Sequence, residues 1–347
     1  MKHKLLPIVA SAAITLSLLG CKKSSDAPQA NGSSTGTANS TAAAGNPDDA
    51  VALKLRWPVG GRFGHRMELA QAMHVPAIPG VPGGRPTTQE MTMGQEFSLN
   101  VLRERAGGGC EVELEFQSVN MSVTRGGNEG LAFDTRDEAT GDEANPDVKP
   151  FRQMIGQKLT LLLDSSNNVE RVEGMKAFTE KVFGDSEGSP NPMAAMLNED
   201  HFKQMMSIGR NLPAQPVKPG DTWPSKPEIS MGPLGKTTLD LTYTFKGWEQ
   251  HEQRRCAALT FTGSLGGNTG DPNNPIGAMM SVAGGQCSGK SWFDPLRGMI
   301  IDNAIEQTIQ MRMKIPGRPN AGPGAAPPVE TTLKQNVSIK LVEESKK

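Results

Sequence analysis

Met299-Ile300-Ile301-Asp302-Asn303-Ala304-Ile305-Glu306-Gln307-Thr308-Ile309-Gln310-Met311-Arg312-Met313-Lys314-Ile315 is the stretch from which the fold can be read. Its odd positions are Met, Ile, Asn, Ile, Gln, Ile, Met, Met and Ile, and the even ones between them include Asp302, Glu306, Arg312 and Lys314. A period of two sends alternate side chains to opposite faces of a β-strand. At ~3.3 Å per residue the run reaches over about 50 Å, far beyond the common strand of about five or six residues. Strands of that length with one apolar face call for a large antiparallel sheet covered on that face.

Working outward, Val329 to Leu341 alternates in the same way and reads as a matching last strand. Upstream, Trp292 and Phe293 lead into Asp294-Pro295-Leu296-Arg297-Gly298, a Pro-and-Gly turn of the hairpin kind. Leu239, Leu241, Tyr243 and Phe245, then Ala257, Leu259 and Phe261, read as two more strands. In the N-terminal half the pattern recurs over Phe63–Val75, Met91–Val101 and Cys110–Phe116. The parity then slips to Val119, Met121 and Val123, which predicts a bulge near Gln117. Leu159, Leu161 and Leu163 form a short strand ending at a polar turn, Asp164 to Asn168. The segments around 76–86, 126–149, 266–285 and 316–328 are rich in Gly, Pro or acids and read as loops.

The cover is expected to be helical. Met175–Phe183 reads as one short helix, Asn191-Pro192 caps a second, and Asp200 caps a continuation. The expected fold is therefore mainly β, a large curved antiparallel sheet or half-barrel with a helical insert at about 174–212. Two β-rich subdomains are the alternative. Met193, Met196, Phe202, Met205 and Met206 fall on the insert and are the candidate lining of a ligand pocket, because methionine packs adaptably. Plain core filling against the sheet is the competing reading.

The N-terminus carries an address. Lys2, His3 and Lys4 precede an apolar run from Leu5 to Leu19, 15 residues long. Spanning a bilayer takes about 20 residues, so the run reads as an export signal. Leu18-Leu19-Gly20-Cys21 resembles the lipobox of bacterial lipoproteins. That resemblance implies removal of residues 1–20 and a lipid on Cys21, and Lys22 in place of Asp implies the outer membrane. Residues 21–48 then form the lipidated Cys and a flexible tether, since Ser24 to Gly45 is almost all Ser, Gly, Ala, Asn and Thr. The β-rich globular domain spans 49–345.

Of 36 Lys and Arg, Lys2 and Lys4 lie in the signal, which leaves 34 against 37 acidic side chains. No basic footprint for nucleic acid exists. After Cys21, the three cysteines Cys110, Cys256 and Cys287 permit one disulfide. Cys256 and Cys287 are the favoured pair, because they fall in neighbouring strands; three buried free thiols are an equal alternative.

Several stretches imitate chemical motifs. Gly284-Gly285-Gln286-Cys287-Ser288-Gly289-Lys290-Ser291 matches a phosphate-binding loop by letter, but that loop needs a helix behind it and here a strand follows. Gly285–Gly289 fails as a nucleophile elbow for the same reason. Asp164-Ser165-Ser166-Asn167-Asn168 opens like a calcium loop but has Val169 at the sixth position and Met175 at the twelfth. Asp134, Asp137, Glu138, Asp142, Glu143 and Asp147 read as solvated charge rather than a cation site. His65, His74, His201 and His251 show no zinc spacing and are expected to face solvent. No catalytic residue, cofactor or metal is expected.

Pro216-Val217-Lys218-Pro219-Gly220-Asp221-Thr222-Trp223 resembles a signature of an uncharacterised bacterial family of envelope lipoproteins. Leu161 to Asp164, continuing through Val169 to Gly174, resembles that family's strand, turn and strand. The resemblance runs over roughly 50–342 and implies no activity. The architecture is also similar to that of periplasmic lipid-carrier proteins. The expected function is a non-enzymatic, envelope-anchored lipoprotein. It meets the membrane through the lipid on Cys21 and binds a hydrophobic ligand such as a lipid. The alternative is a structural or assembly protein of the outer membrane that contacts an envelope protein partner. Cys21→Ala tests the anchor: the protein should leave the membrane fraction or accumulate as precursor. Retention of a correctly cleaved mutant on the membrane would refute the lipid.

Overall fold

A computed structural model describes residues 50–77, 85–137, 147–184, 199–205, 211–231, 234–270, 275–314 and 328–346. The signal, Cys21 and the tether to residue 48 lie outside these. Thirteen strands dominate. They are β1 (Gly61–Val75), β2 (Thr87–Glu104), β3 (Cys110–Arg125), β4 (Asn128–Asp134), β5 (Lys158–Leu163), β6 (Val169–Glu173) and β7 (Thr222–Ser225), followed by β8 (Glu228–Ser230), β9 (Lys236–His251), β10 (Arg254–Leu265), β11 (Met280–Asp294), β12 (Met299–Met313) and β13 (Val329–Lys346). The described helices are short: α1 (Lys149–Met154), α2 (Met175–Phe183), α3 (Glu199–Met205) and α4 (Pro275–Met279).

All the strands join one sheet, so the alternative of two subdomains does not hold. Its order is β6-β5-β3-β2-β1-β13-β12-β11-β10-β9-β7, with β4 on β3 and β8 on β9. Every pairing is antiparallel, and the first and last strands lie side by side: β1 pairs β13 from Gly61 opposite Lys346 to His74 opposite Thr332. The predicted bulge is present. Glu96 faces Ser118 and Phe97 faces Phe116, which leaves Gln117 as the extra residue. The strand read over 299–315 is described from Met299 to Met313, Ile315 lying outside the described residues, and its partner runs on past Leu341 to Lys346. Two expected loops contain structure: β4 occupies part of 126–149, and α4 with the start of β11 occupies part of 266–285.

The sheet is rolled, and a length argument shows how far. From β6 to β9 the order contains nine inter-strand steps, which at ~4.8 Å each would span about 43 Å if flat. Helix α3 has seven residues, about 10 Å of length. Yet α3 contacts both β6 and β8, the latter paired to β9. The two ends therefore curl towards each other without hydrogen-bonding, and α3 bridges the seam.

Rolling puts one face inside. Phe63, Leu69, Leu99, Leu114, Phe116, Leu161, Leu241, Ile301 and Leu333 belong to a single buried cluster that crosses nearly every strand. A second cluster, Leu53, Leu55, Val217, Phe245, Leu259 and Phe293, seals one end of β9–β11 with the segment that precedes β1. That segment is held by Val51 pairing with Val217 and by Arg56 N donating to Gly298 O at 2.9 Å.

Sequence letters that suggested a phosphate loop have a packing reason. Residues 284–291 lie within β11, with no helix behind them. A Cβ on Gly289 would overlap the Phe261 ring and the Ala304 carbonyl. Gly289→Ala should therefore destabilise the protein by about 1–3 kcal/mol in urea melts. Phe261→Leu added to it should recover part of the loss, whereas a glycine needed for phosphate would show no such rescue.

Candidate functional site

The inner face is the candidate site, and β-strand alternation builds it. Met67 and Met73 on β1, Met91 on β2, and Met299 and Met311 on β12 supply a soft lining among Leu, Ile and Val. At the seam an aromatic trio closes it. Phe202 of α3 sits 5.9 Å from Phe178 of α2 and 6.2 Å from Phe116 of β3, both edge-on, and Phe116 lies 5.7 Å from Phe178. Phe202 is 1% exposed. Glu199 starts α3 and accepts a hydrogen bond from Val172 N of the edge strand β6 at 3.2 Å. Its carboxyl is held below the ordinary range, chiefly by Lys203, whose Nζ lies 2.9 Å away. The helix is thus tied to β6 by one side chain and plugged by one ring.

A polar row interrupts the apolar face. Gln71 of β1 lies opposite Gln335 of β13, which lies opposite Gln307 of β12. All three are buried, and Gln307 Nε2 donates to Gln335 Oε1. Among the described residues Gln71 Oε1 and Gln335 Nε2 are buried without a hydrogen-bond partner, and so is Thr331 Oγ1, four positions along β13 from Gln335. An unmet buried polar group costs about 1–3 kcal/mol, so the row is a standing demand for a polar atom. The sequence carried a signal for it, because Gln307 breaks the apolar parity of β12.

The outer face carries a cleft of about 610 Å³ across β12, β13, β1, β2 and β3. Its floor is small, with Gly94, Ala70, Ala304 and Ser338. Arg66, paired with Glu96 at 2.6 Å, and Arg136, paired with Asp134 at 2.6 Å, stand at its side.

The expected site residues fare unevenly. Met193, Met196 and Met206 lie outside the described residues, and Met205 is on α3 with its side chain undescribed. Phe202 alone is placed, and it packs as core. The favoured disulfide does not form: Cys110, Cys256 and Cys287 are free and buried. Cys287 lies opposite Gly263 on β10, seven positions from Cys256, about 23 Å along a strand. Adjacent strands did not mean adjacent residues. Asp164 is no calcium ligand but a turn brace, accepting from Ser166 N and Asn168 N at 2.8 Å each. The histidines do not all face solvent. His74 is exposed, but His65 is 3% exposed and stacks on Phe97, with ring centroids 5.3 Å apart. Among the described residues no helix is long and apolar enough to cross a membrane.

A model described as a family of unknown function (DUF6263) matches residues 107–300. The chain belongs to this family. The DUF6263 match takes in the aromatic trio and β3 to β11, and leaves β1, β2 and β13 outside it. No curated protein sequence matches the chain. Among solved structures the DUF6263 protein is similar to lipovitellin, in a structure described as lipid–protein interactions in lipovitellin. Identity is 10% over 84% of this chain and 26% of that one, with a TM-score of 0.44. The chain thus spans about a quarter of lipovitellin's length. It is also similar to DynF from the dynemicin biosynthesis pathway of Micromonospora chersina, at 8% identity over 89% and 92% of the two chains, with a TM-score of 0.18. Neither likeness is close enough to bear on function.

Burial sets the chemistry of the inner groups. It pushes each of the three thiols up to about 11, so at neutral pH they are poor nucleophiles. A thiol reagent should label them only after denaturation. Burial also lowers His65 from 6.5 to about 4, partly offset by its hydrogen bond to the Phe63 carbonyl. The unfolded chain binds a proton near 6.5 that the folded chain resists until about 4. The stability this provides is fully present above the unfolded value and is lost as pH falls towards the folded one. Urea stability should drop by up to about 1.4 kcal/mol per pH unit inside that window, and His65→Gln should flatten the drop.

Proposed function

We propose that this DUF6263 protein is a non-catalytic lipoprotein of the cell envelope that holds a hydrophobic ligand, such as a lipid, against the inner face of its sheet. Its lipid on Cys21 would fix it to the outer membrane facing the periplasm. The observation that carries the reading is the seam. A rolled sheet with a continuous apolar, methionine-rich face is shut by a seven-residue helix held through Phe202 and Glu199. Displacing that helix gives access to the face without breaking any strand pairing. The Gln71 and Gln335 atoms that lack a partner among the described residues lie opposite each other on this face and suit an amphipathic ligand, whose polar group would meet them.

The second reading is an assembly role with an envelope protein partner, and the outer cleft favours it, being polar-walled and open across five strands. The two readings separate by experiment. Native mass spectrometry of the full chain, extracted in mild detergent, should show a lipid held non-covalently beyond the covalent anchor. Met91→Trp should reduce that occupancy while leaving the strand signal in circular dichroism intact. If no lipid is retained and Met91→Trp only destabilises, by the about 1–3 kcal/mol of an overpacked core, the carrier reading fails and the assembly reading stands.

A further inference from the structure

At the opposite corner of the sheet three metal-ligating side chains converge that the ligand-binding reading does not use. His251 is the last residue of β9, and Glu252 and Gln253 form the two-residue turn into β10 with left-handed φ values of 47° and 63°. That turn type fixes the directions of both residues that precede its end. Asp302 belongs to β12, three strands away in the sheet order. Each of the two strands carries a register shift close by: Lys246 is an extra residue in β9 and Ile301 an extra residue in β12, and bulges of this kind sharpen strand twist and bend. His251 Nε2 lies 3.0 Å from Asp302 Oδ2, and ligand atoms of His251, Glu252 and Asp302 all fall within 4.8 Å of one another.

The surroundings hold the imidazole in place. Its ring stacks on Trp292 at 4.1 Å and 13°. Trp292 Nε1 donates to Glu249 at 3.0 Å, and Lys290 closes the same shell, 2.9 Å from Glu249 and 4.6 Å from the indole centre. Asp302 is 4% exposed, and the ammonium of Lys340 lies beside it, with Nζ 3.2 Å from Oδ2. A buried carboxylate needs positive charge beside it, and here an ammonium supplies it.

We propose that His251, Glu252 and Asp302 form a site for a divalent transition-metal ion of the zinc class, which takes the place of the Lys340 ammonium on Asp302. One imidazole and two carboxylates with room for water make a three-ligand set of the kind zinc accepts. Bonds of about 2.0–2.2 Å put tetrahedral ligand atoms about 3.3–3.6 Å apart, so the exposed Glu252 has to close in while the 3.0 Å contact between His251 and Asp302 opens by a few tenths of an ångström. The nitrogen ligand disfavours calcium and magnesium, which prefer all-oxygen shells. Bound there, the ion would clamp the tip of the β9–β10 hairpin to β12.

The test is equilibrium dialysis of the purified full chain, stripped with chelator, against zinc, with calcium and magnesium in parallel. The expected result is one saturable zinc per chain and none of the other two ions. His251→Gln and Glu252→Gln should each weaken zinc binding at least about tenfold. Glu252 is exposed on a turn, so its variant leaves the fold intact. Lys340→Met should strengthen binding, because it removes the competing charge. Absence of saturable zinc binding, binding untouched by Glu252→Gln, or weaker binding in Lys340→Met would each overturn the proposal.

Discussion

The pairing of β1 with β13 is the constraint on which the rest of the structure depends. Each half of the chain is a meander of neighbouring strands, and neither half could roll far enough alone to enclose its own apolar face. Joining the first long strand to the last one along fourteen residues of β1 makes a single sheet wide enough to curl until α3 can touch both ends. The register of that seam also sets the polar row, since it places Gln71 opposite Gln335. A slip of one residue would turn the whole of Phe63, Met67, Leu69 and Met73 to solvent, so the buried face enforces the register.

A rolled but open sheet has two regions that behave differently. In the middle, β1, β2, β12 and β13 share long ladders, with one register shift between Gly64 and His65 where β1 meets β13, and most of their large apolar residues are buried. At the ends the sheet is held by short elements: a five-residue β6, a four-residue β7 and a seven-residue α3. Local opening free energy scales with the buried contacts an element makes. The seam is therefore where the apolar face is most cheaply uncovered, and the centre is where it is most firmly kept. Charge follows the same division. The ion pairs on the outer face, such as Arg66–Glu96 and Lys158–Glu113, are largely exposed and contribute little to stability. Inside, His65 stays neutral and the thiols stay protonated.

The irregularities of the sheet serve placement. Gln117 is the extra residue of β3 beside Phe116 of the aromatic trio, and Lys246 and Ile301 are the extra residues of β9 and β12, the strands that carry His251 and Asp302. Glycines answer to neighbouring bulk in the same spirit. Gly289 is small because Phe261 lies across from it, and the resulting Gly-Lys-Ser spelling only imitates a phosphate-binding loop.

The sequence by itself determined the class of fold. Period-two alternation over Met299–Ile315, Val329–Leu341 and Phe63–Val75 requires one-faced strands whatever surrounds them, and the parity slip after Phe116 requires a bulge. The short helix Met175–Phe183 was also readable, because helix propensity and spacing are local. What only the tertiary structure decided is which distant residues meet. Cys256 and Cys287 sit in adjacent strands yet are held apart by register. His251 and Asp302, fifty-one positions apart and on strands that are not neighbours, lie within hydrogen-bond reach. His65 shares the parity of Phe63, Met67 and Leu69, so alternation alone already put it on the apolar face, and the expectation that it faces solvent followed residue type instead of position. Strand patterning is a property of a few neighbouring residues and survives in one dimension. Register, roll and seam depend on the summed burial of thirteen strands, and no single stretch of sequence carries them.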